Sequence, residues 1–280
     1  MTAAREPSEV VVVIGAGGMG QAVARRLGSG RELVLADVSA EHLTRVADVL
    51  TGDGYAVHTV RTDVSAADDV VGLARTAAEV GPIRTVVHTA GVSPVQATPQ
   101  QIIAVDVIGT AHVLDAFEPH VRPGTVAVCI ASMAGRLAQL PPETERLLAA
   151  TPTAELAALA VLDPTTMDSA SAYVIAKRAN QIRVEAASAS WGRHGGRVVS
   201  ISPGIIATPQ GAEELAGPSG DAMRSMIAMS AGRRLGTPDD IAAAAEFLVS
   251  PAASLITGTD LLVDGGIVAA LHQLDPGAAS

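Results

Sequence analysis

Of the 19 basic residues in this 280-residue chain, 18 are arginine and one is lysine, Lys177, which stands four positions after one of only two tyrosines, Tyr173. Helix positions i and i+4 share a face, so Tyr173-Val174-Ile175-Ala176-Lys177 would point a phenol and an ammonium to one place. A neighbouring ammonium stabilises phenolate and draws its pKa, ordinarily ~10, toward the range where it trades protons with an alcohol. The plainer reading is a solvated pair on an exposed helix, and the scarcity of both residue types weighs against it.

A second constellation is Gly15-Ala16-Gly17-Gly18-Met19-Gly20, which matches G-x-G-x-x-G at Gly15, Gly17 and Gly20. Such a turn lets backbone approach a pyrophosphate, whose charge then sits at a helix N-terminus. Any glycine-rich turn can imitate the motif, but here it follows the apolar run Val10 to Ile14, opens a helical pattern and precedes Asp37 at the end of the next apolar run. A carboxylate there would accept both ribose hydroxyls of a dinucleotide and repel a 2′-phosphate. Val38 offers no cation, and Arg25 and Arg26 lie too far along the helix to substitute, so NAD(H) is expected over NADP(H).

Positioning these groups requires a scaffold, and β-branched runs alternate with helical patterns in the rhythm of repeated βαβ units. Strands are expected over Val10 to Ile14, Glu32 to Ala36, Ala56 to Arg61, Thr85 to His88, Thr125 to Ala131, Arg197 to Ile201 and Asp260 to Val263. Several are continuously apolar, as strands covered by helices on both faces must be. Helix ends are signalled by Gly28, by Ser39 as an N-cap, and by Thr237-Pro238-Asp239-Asp240, with proline at N1 and acids at the positive helix end. The result is one α/β domain over residues 1–280, a doubly wound, seven-stranded parallel sheet with helices on both faces. Segments 1–8 and 267–280 are expected to be loose tails. Residues 135–167 break the rhythm with four prolines and no strand pattern, but Leu147, Leu148, Leu156, Leu159, Val161 and Leu162 suit helices that pack on something.

Composition bounds the partners. Apolar residues make up 48% of the chain and charged residues 17%, which excludes a disordered or coiled-coil protein. A net charge of −10 has the wrong sign for nucleic acid. The single cysteine, Cys129, permits no internal disulfide, and the seven histidines show no H-E-x-x-H spacing, so no metal site is expected. No apolar run approaches the ~20 residues of a membrane helix or forms a signal-peptide core, and a cytoplasmic protein is expected. His42, His112 and His194 read as surface or packed residues, and Cys129 as a small core residue.

Together these motifs resemble the short-chain dehydrogenase/reductase family, from Val10 to Gly266. Asp63-Val64 resembles its adenine-side contact and His88-Thr89-Ala90-Gly91 its Asn-Asn-Ala-Gly strand end. Ser132 matches its substrate-binding serine, and Pro203-Gly204-Ile205-Ile206-Ala207-Thr208 its nicotinamide-side loop. The C-terminal motifs, from Arg234-Leu235-Gly236 to Val263-Asp264-Gly265-Gly266, are similar to its ~250-residue single-domain branch. The resemblance implies a Rossmann-type oxidoreductase that interconverts a secondary alcohol and a ketone. Tyr173 would be the general acid/base, Ser132 would hydrogen-bond the substrate oxygen, and Lys177 would bind the nicotinamide ribose and tune the tyrosine. Gly15, Gly17, Gly18, Met19, Gly20, Asp37, Asp63, Val64, Thr89, Ala90, Gly91, Pro203, Ile206 and Thr208 would complete the cofactor site. An NAD-binding regulator without turnover and an NADPH-dependent ketoreductase are the alternatives.

Three departures from the family pattern stand out. Met19 and Gln21 occupy positions where two glycines are usual. Asp106 replaces the asparagine that braces a helix kink and holds a relay water, which implies a rearranged relay, a protonated carboxyl or weakened catalysis. Ser132 and Tyr173 are 41 residues apart (173 − 132), where about a dozen is usual; the excess is the 135–167 insert, similar to one in bacterial hydroxysteroid dehydrogenase and carbonyl reductase relatives. The insert is expected to roof an apolar pocket for an alicyclic or steroid-like substrate, together with Val92, Val95, Met133, Leu137, Ile205 and a substrate-side loop at 209–230. The alternative is an interface or surface element. The family's dimers and tetramers form through the helices that carry Asp106 and Tyr173, which implies a homo-oligomer in which the insert blocks or replaces that contact.

Overall fold

Runs of valine, isoleucine and leucine too short for helices pair into a single sheet in the computed structural model, which describes residues 8–274. Its strands are β1 (Val10–Ile14), β2 (Glu32–Asp37), β3 (Ala56–Arg61), β4 (Ile83–His88), β5 (Val126–Ile130), β6 (Arg197–Pro203) and β7 (Thr259–Val263). All pair in parallel in the order β3-β2-β1-β4-β5-β6-β7. Every expected strand is present within about two residues of its expected ends.

Between them run α1 (Gly18–Leu27), α2 (Ala40–Gly52), α3 (Ala67–Val80), α4 (Pro99–Ile102), α5 (Gly109–Phe117), α6 (Met133–Arg136), α7 (Pro142–Ala150), α8 (Ser169–Arg193), α9 (Pro209–Ala216), α10 (Gly220–Met229), α11 (Pro238–Val249) and α12 (Ile267–Leu274). The pleat sends alternate residues of β1 to opposite faces. Val11 and Val13 pack against α1, α2 and α11, whereas Val10, Val12 and Ile14 face α3, α5 and α8. The cap signals act as read: Ser39 Oγ accepts the His42 N–H, and Thr237 and Asp240 form a reciprocal capping box at the start of α11. Cys129 is buried in β5.

The tail expected to be loose is helical over α12, where Ile267 and Val268 are buried; residues 1–7 and 275–280 lie outside the described chain. One turn through Gly265 and Gly266, both at positive φ and held by Asp264 accepting from the Gly266 and Val268 N–H groups, redirects the chain so that those two side chains find cover.

The insert folds as α7 followed by 3₁₀ turns at Thr153–Ala158, Ala160–Leu162 and Pro164–Thr166, so its second half is tighter than an α-helix. Leu148, Leu156 and Leu162 are fully buried against Ile102, Ile103, Val107 and Ala111 on one side and Ala172, Ala176, Ala179 and Ile182 of α8 on the other. Arg183 of α8 locks this packing by donating to the Thr151 carbonyl at 2.8 Å and the Thr153 hydroxyl at 3.1 Å. The insert therefore covers the outer side of the Asp106 and Tyr173 helices. Its leucines form a third core rather than the roof of a substrate pocket. Truncating Leu156 to alanine is expected to cost about 2–5 kcal/mol in denaturant unfolding. The same change at half-exposed Leu147 should stay within about 0.5 kcal/mol.

Candidate active site

The order of the sheet reverses between β1 and β4, and a crevice opens beyond the carboxyl ends of those strands, as the topology requires. Backbones converge there too closely for side chains. Gly15 has φ +96°, and a Cβ on it would fall 2.6 Å from the Ala90 nitrogen, while one on Gly20 would fall 1.9 Å from the Gly15 carbonyl oxygen. Thr89 Oγ1 donates to that same carbonyl at 2.8 Å, tying β4 to the turn. A Cβ on Gly17 would meet nothing within 4 Å, so at this point the turn presents open space. The glycine pattern thus builds a cradle of the size and polarity that suit a pyrophosphate.

The cleft beyond this turn holds about 850 Å³. Gly15, Gly17, Gly18, Met19, Asp37, Asp63, Val64, Thr89, Ala90, Gly91 and Thr208 all line it. The Asp37 carboxylate is held at its rim by the Ala16 N–H on Oδ2, at 2.9 Å, and the Ser39 N–H on Oδ1, at 3.0 Å. Gly20, Pro203 and Ile206 do not line this cleft; Gly20 packs against the Gly15 carbonyl, Pro203 ends β6, and the Ile206 side chain is buried in the core. Sequence reasoning missed His42, which lines the cleft and donates from Nε2 to the Ala16 carbonyl at 2.9 Å. It also missed Gln21, which donates to the same carbonyl. For Gln21 the signal was its place where the family usually has glycine, and for His42 only its position just after the Ser39 cap.

Ser132, Tyr173, Lys177 and Asp106 gather behind the Gly91 and Val92 part of this lining, where Gly91 abuts Lys177 and Asp106 and the Val92 N–H meets Asp106; none of the four lines the cleft itself. Ser132 caps α6, its Oγ accepting the Ala134 N–H at 3.2 Å. A Cβ on Gly135 would lie 2.7 Å from the Lys177 backbone, so glycine is what lets α6 press against α8 here. A buried polar network fixes the arrangement. Gln181 donates to the Ser202 hydroxyl, Ser200 and Ser202 donate to Asp260, and Arg136 clamps Asp260 at 2.7 Å. The Lys177 Nζ lies 5.2 Å from the centre of the Tyr173 ring.

Asp106 lies in a π-helical turn, Ile103–Ile108, whose extra residue aims the carboxylate inward. Oδ1 accepts the Val92 N–H at 2.9 Å, and Oδ2 meets Lys177 Nζ at 3.0 Å with both side chains essentially excluded from solvent. Of the three readings of Asp106, the contact supports a rearranged site: the carboxylate pairs directly with the lysine. Burial pushes the Asp106 carboxyl up, opposed by the Lys177 charge and the Val92 N–H. For Lys177, burial pulls the ammonium's pKa down, but Asp106 and the Tyr173 phenol more than reverse this, and it stays protonated. Burial likewise pushes the Tyr173 phenol up; Lys177 and Ser132 pull it back, while Asp106 and Glu214 add to the rise.

His88 sits behind this pair, wholly buried, with Nε2 at 3.1 Å from Thr110 Oγ1. Thr110 spends its proton on the Asp106 carbonyl, so His88 must donate from Nε2 and leave Nδ1 bare. Burial first and Lys177 second hold its pKa at about 3, well below the ordinary 6.5. The sign of the linkage is fixed: stability from neutral His88 is fully present above pH ~6.5 and drains away as pH falls toward the folded value. Replacing His88 with asparagine should remove ~2 kcal/mol of the stability lost between pH 6.5 and 5, read as the pH dependence of urea unfolding.

Comparison with known proteins agrees with this geometry. Residues 9–141 match the family described as short chain dehydrogenase, and residues 143–268 that described as enoyl-(acyl carrier protein) reductase. The short-chain dehydrogenase/reductase bsc3 of Alternaria brassicicola is 38% identical over 265 residues, covering 94% of this chain and 97% of its own. Galactitol 2-dehydrogenase (L-tagatose-forming) of Cereibacter sphaeroides is 32% identical, covering 91% of this chain and 92% of its own. A crystal structure from Brucella melitensis titled short-chain dehydrogenase/reductase SDR:glucose/ribitol dehydrogenase superposes with a TM-score of 0.74 at 27% identity, covering 94% of this chain and 97% of that one. Motif, cleft, the Ser132, Tyr173, Lys177 and Asp106 cluster and relatives converge: the chain belongs to the short-chain dehydrogenase/reductase family, oxidoreductases that act on CH–OH groups with a nicotinamide cofactor.

Proposed function

We propose that this protein interconverts a secondary alcohol and a ketone with NAD(H) as its cofactor. The observation that carries the reading is a cluster of Ser132, Tyr173 and Lys177 directly behind Gly91 of a cleft whose lining also includes Asp37. Among the described residues neither lysine nor arginine lines the cleft, whereas Asp37, Asp63 and Glu213 do. A 2′-phosphate would therefore meet repulsion and no counter-charge, which favours NAD(H) over NADP(H).

The residues divide the work. Asp37 keeps lone pairs free for the ribose hydroxyls while two backbone N–H groups hold it in place. Bound nicotinamide supplies hydride exchange at the carbinol carbon. Tyr173 takes the alcohol proton during oxidation and returns it during reduction. Ser132 steadies the substrate oxygen, and Lys177 favours the phenolate form across the ring. Asp106 holds the ammonium in place but also offsets part of its charge. The relatives' printed names, galactitol 2-dehydrogenase and glucose/ribitol dehydrogenase, support alcohol chemistry. The insert lends no support to a steroid-like substrate, because its leucines face α8. The insert also occupies part of the face through which a homo-oligomer was expected to assemble, so such an assembly would use the insert's own outer surface or a different face.

Replacing Tyr173 with phenylalanine should cut kcat by about 10²–10⁴-fold while NADH still binds, measured by cofactor turnover and a binding titration. Tighter binding of NADPH than of NADH would overturn the cofactor assignment. Replacing Asp106 with asparagine keeps an acceptor for the Val92 N–H but removes a charge that raises the Tyr173 pKa. The rising limb of kcat/KM for alcohol oxidation should then move to lower pH, and an unmoved limb would show that the carboxylate does not act on the phenol.

A further inference from the structure

Ser132 stands at the start of α6, a helix of only four residues, Met133–Arg136. A single turn fixes several backbone dihedrals for about one hydrogen bond, so it has little rigidity of its own. What holds α6 in place must come from outside it. On one side the turn is pressed against α8, where a Cβ on Gly135 would fall 2.7 Å from the Lys177 backbone. On the other side it is reached by Asp260, in β7 at the edge of the sheet.

The Asp260 side chain is 5% exposed, and a carboxylate so placed is costly unless donors surround it. They do: the Ser200 and Ser202 hydroxyls donate to Oδ1 at 2.7 and 2.8 Å, and Arg136 Nε donates to Oδ2 at 2.7 Å. Arg136 Nη2 also donates to the Asp260 main-chain carbonyl at 2.7 Å. From this hub two routes lead to Ser132. Arg136 is the last residue of α6, so its guanidinium anchors the far end of the turn. At the near end Gln181 of α8 donates from Nε2 to the Ser202 hydroxyl at 2.9 Å and to the Ser132 carbonyl at 3.4 Å. Ser132 Oγ accepts the Ala134 N–H at 3.2 Å, which leaves its own proton to donate, and the orientation of α6 sets where that proton can point.

Resting on the alcohol–ketone reading above, in which Ser132 steadies the substrate oxygen, we propose that Arg136 and Asp260 are positioning residues: they clamp α6 and so fix the Ser132 hydroxyl relative to Tyr173. The edge strand of the sheet thereby takes part in alcohol oxidation without touching substrate or cofactor. A guanidinium that grips two acceptors at once suits this role, because a two-point contact fixes orientation as well as distance. Neither Arg136 nor Asp260 lines the cleft, so the clamp acts on turnover and not on cofactor affinity.

The test is a double-mutant cycle on Arg136→Met and Ser132→Ala, with NADH binding as the check that each variant folds. NAD-linked oxidation is measured on open-chain, cyclic and polyhydric secondary alcohols, and the one that the wild-type protein oxidises fastest serves for the cycle. Arg136→Met keeps the stem and loses the fork; it should lower kcat by about 10- to 100-fold with the NADH Kd unchanged. In the Ser132→Ala background the same change should cost less than about twofold, because the hydroxyl it positions is gone. Arg136→Lys keeps one donor and should recover part of kcat. Amide exchange at residues 133–137 should quicken about tenfold in Arg136→Met, and unchanged exchange would show that α6 does not depend on the clamp. Equal losses of kcat in both backgrounds, or no loss in Arg136→Met, would overturn the positioning role while the alcohol–ketone reading stands. If Arg136→Met no longer binds NADH, the cycle is run with Arg136→Lys and judged in the same way. If the wild-type protein binds NADH and turns over no alcohol or ketone, the alcohol–ketone reading itself fails and this assignment fails with it.

Discussion

A lysine charge held away from water has to be matched, and much of this structure follows from matching the charge on Lys177. Its ammonium is 5% exposed and packed among alanines and glycines, an arrangement tolerable only with an opposite charge in contact. The π-helical turn provides that charge by swinging Asp106 inward to 3.0 Å. Gly91 is excluded from carrying a Cβ by the pair itself, since one would lie 3.1 Å from Nζ and 3.3 Å from the carboxylate. Gly135 is held to hydrogen by the same helix from the other side. His88, one layer deeper, stays neutral because burial and the nearby ammonium both oppose a second positive charge.

The pair also sets the electrostatic tone of the site. A lone ammonium would pull the phenol strongly toward phenolate, whereas a paired one pulls less, and burial lifts the Tyr173 pKa in the same direction. The insert contributes at one remove. By burying Leu148, Leu156 and Leu162 against α5, α8 and the π-helical turn, it stiffens the two walls that hold Asp106 and Lys177 at contact distance.

The sheet was legible because each strand is a local event: four to seven β-branched or apolar residues bounded by turn formers, with a parallel order set by right-handed crossovers. The glycine turn and the Tyr173–Lys177 pair were legible for a similar reason, since their spacing lies within one turn of chain or one helix face. Asp106 could be flagged as unusual from sequence, but not matched to its partner, because 71 residues separate it from Lys177 (177 − 106). The insert's leucines announced packing without saying against what. A helical apolar stripe specifies that a face is buried, and the same stripe would suit a substrate roof or a third core. The helix at Ile267–Leu274 escaped notice because its cover comes from turns that bend the chain back, not from its own pattern.

What the sequence alone determined is the short-range grammar of this protein: seven strands, their capped helices, a dinucleotide turn, and a phenol and ammonium on one helical face. Tertiary structure alone decided the meeting of Asp106 with Lys177, the burial of His88, the direction in which the insert packs and the place of His42 on the cleft wall. The physical reason is range. Periodicity, capping and turn chemistry act over a few residues, whereas charge pairing and desolvation depend on which distant segments the fold brings within a few ångströms, and that is known only once the whole sheet has closed around them.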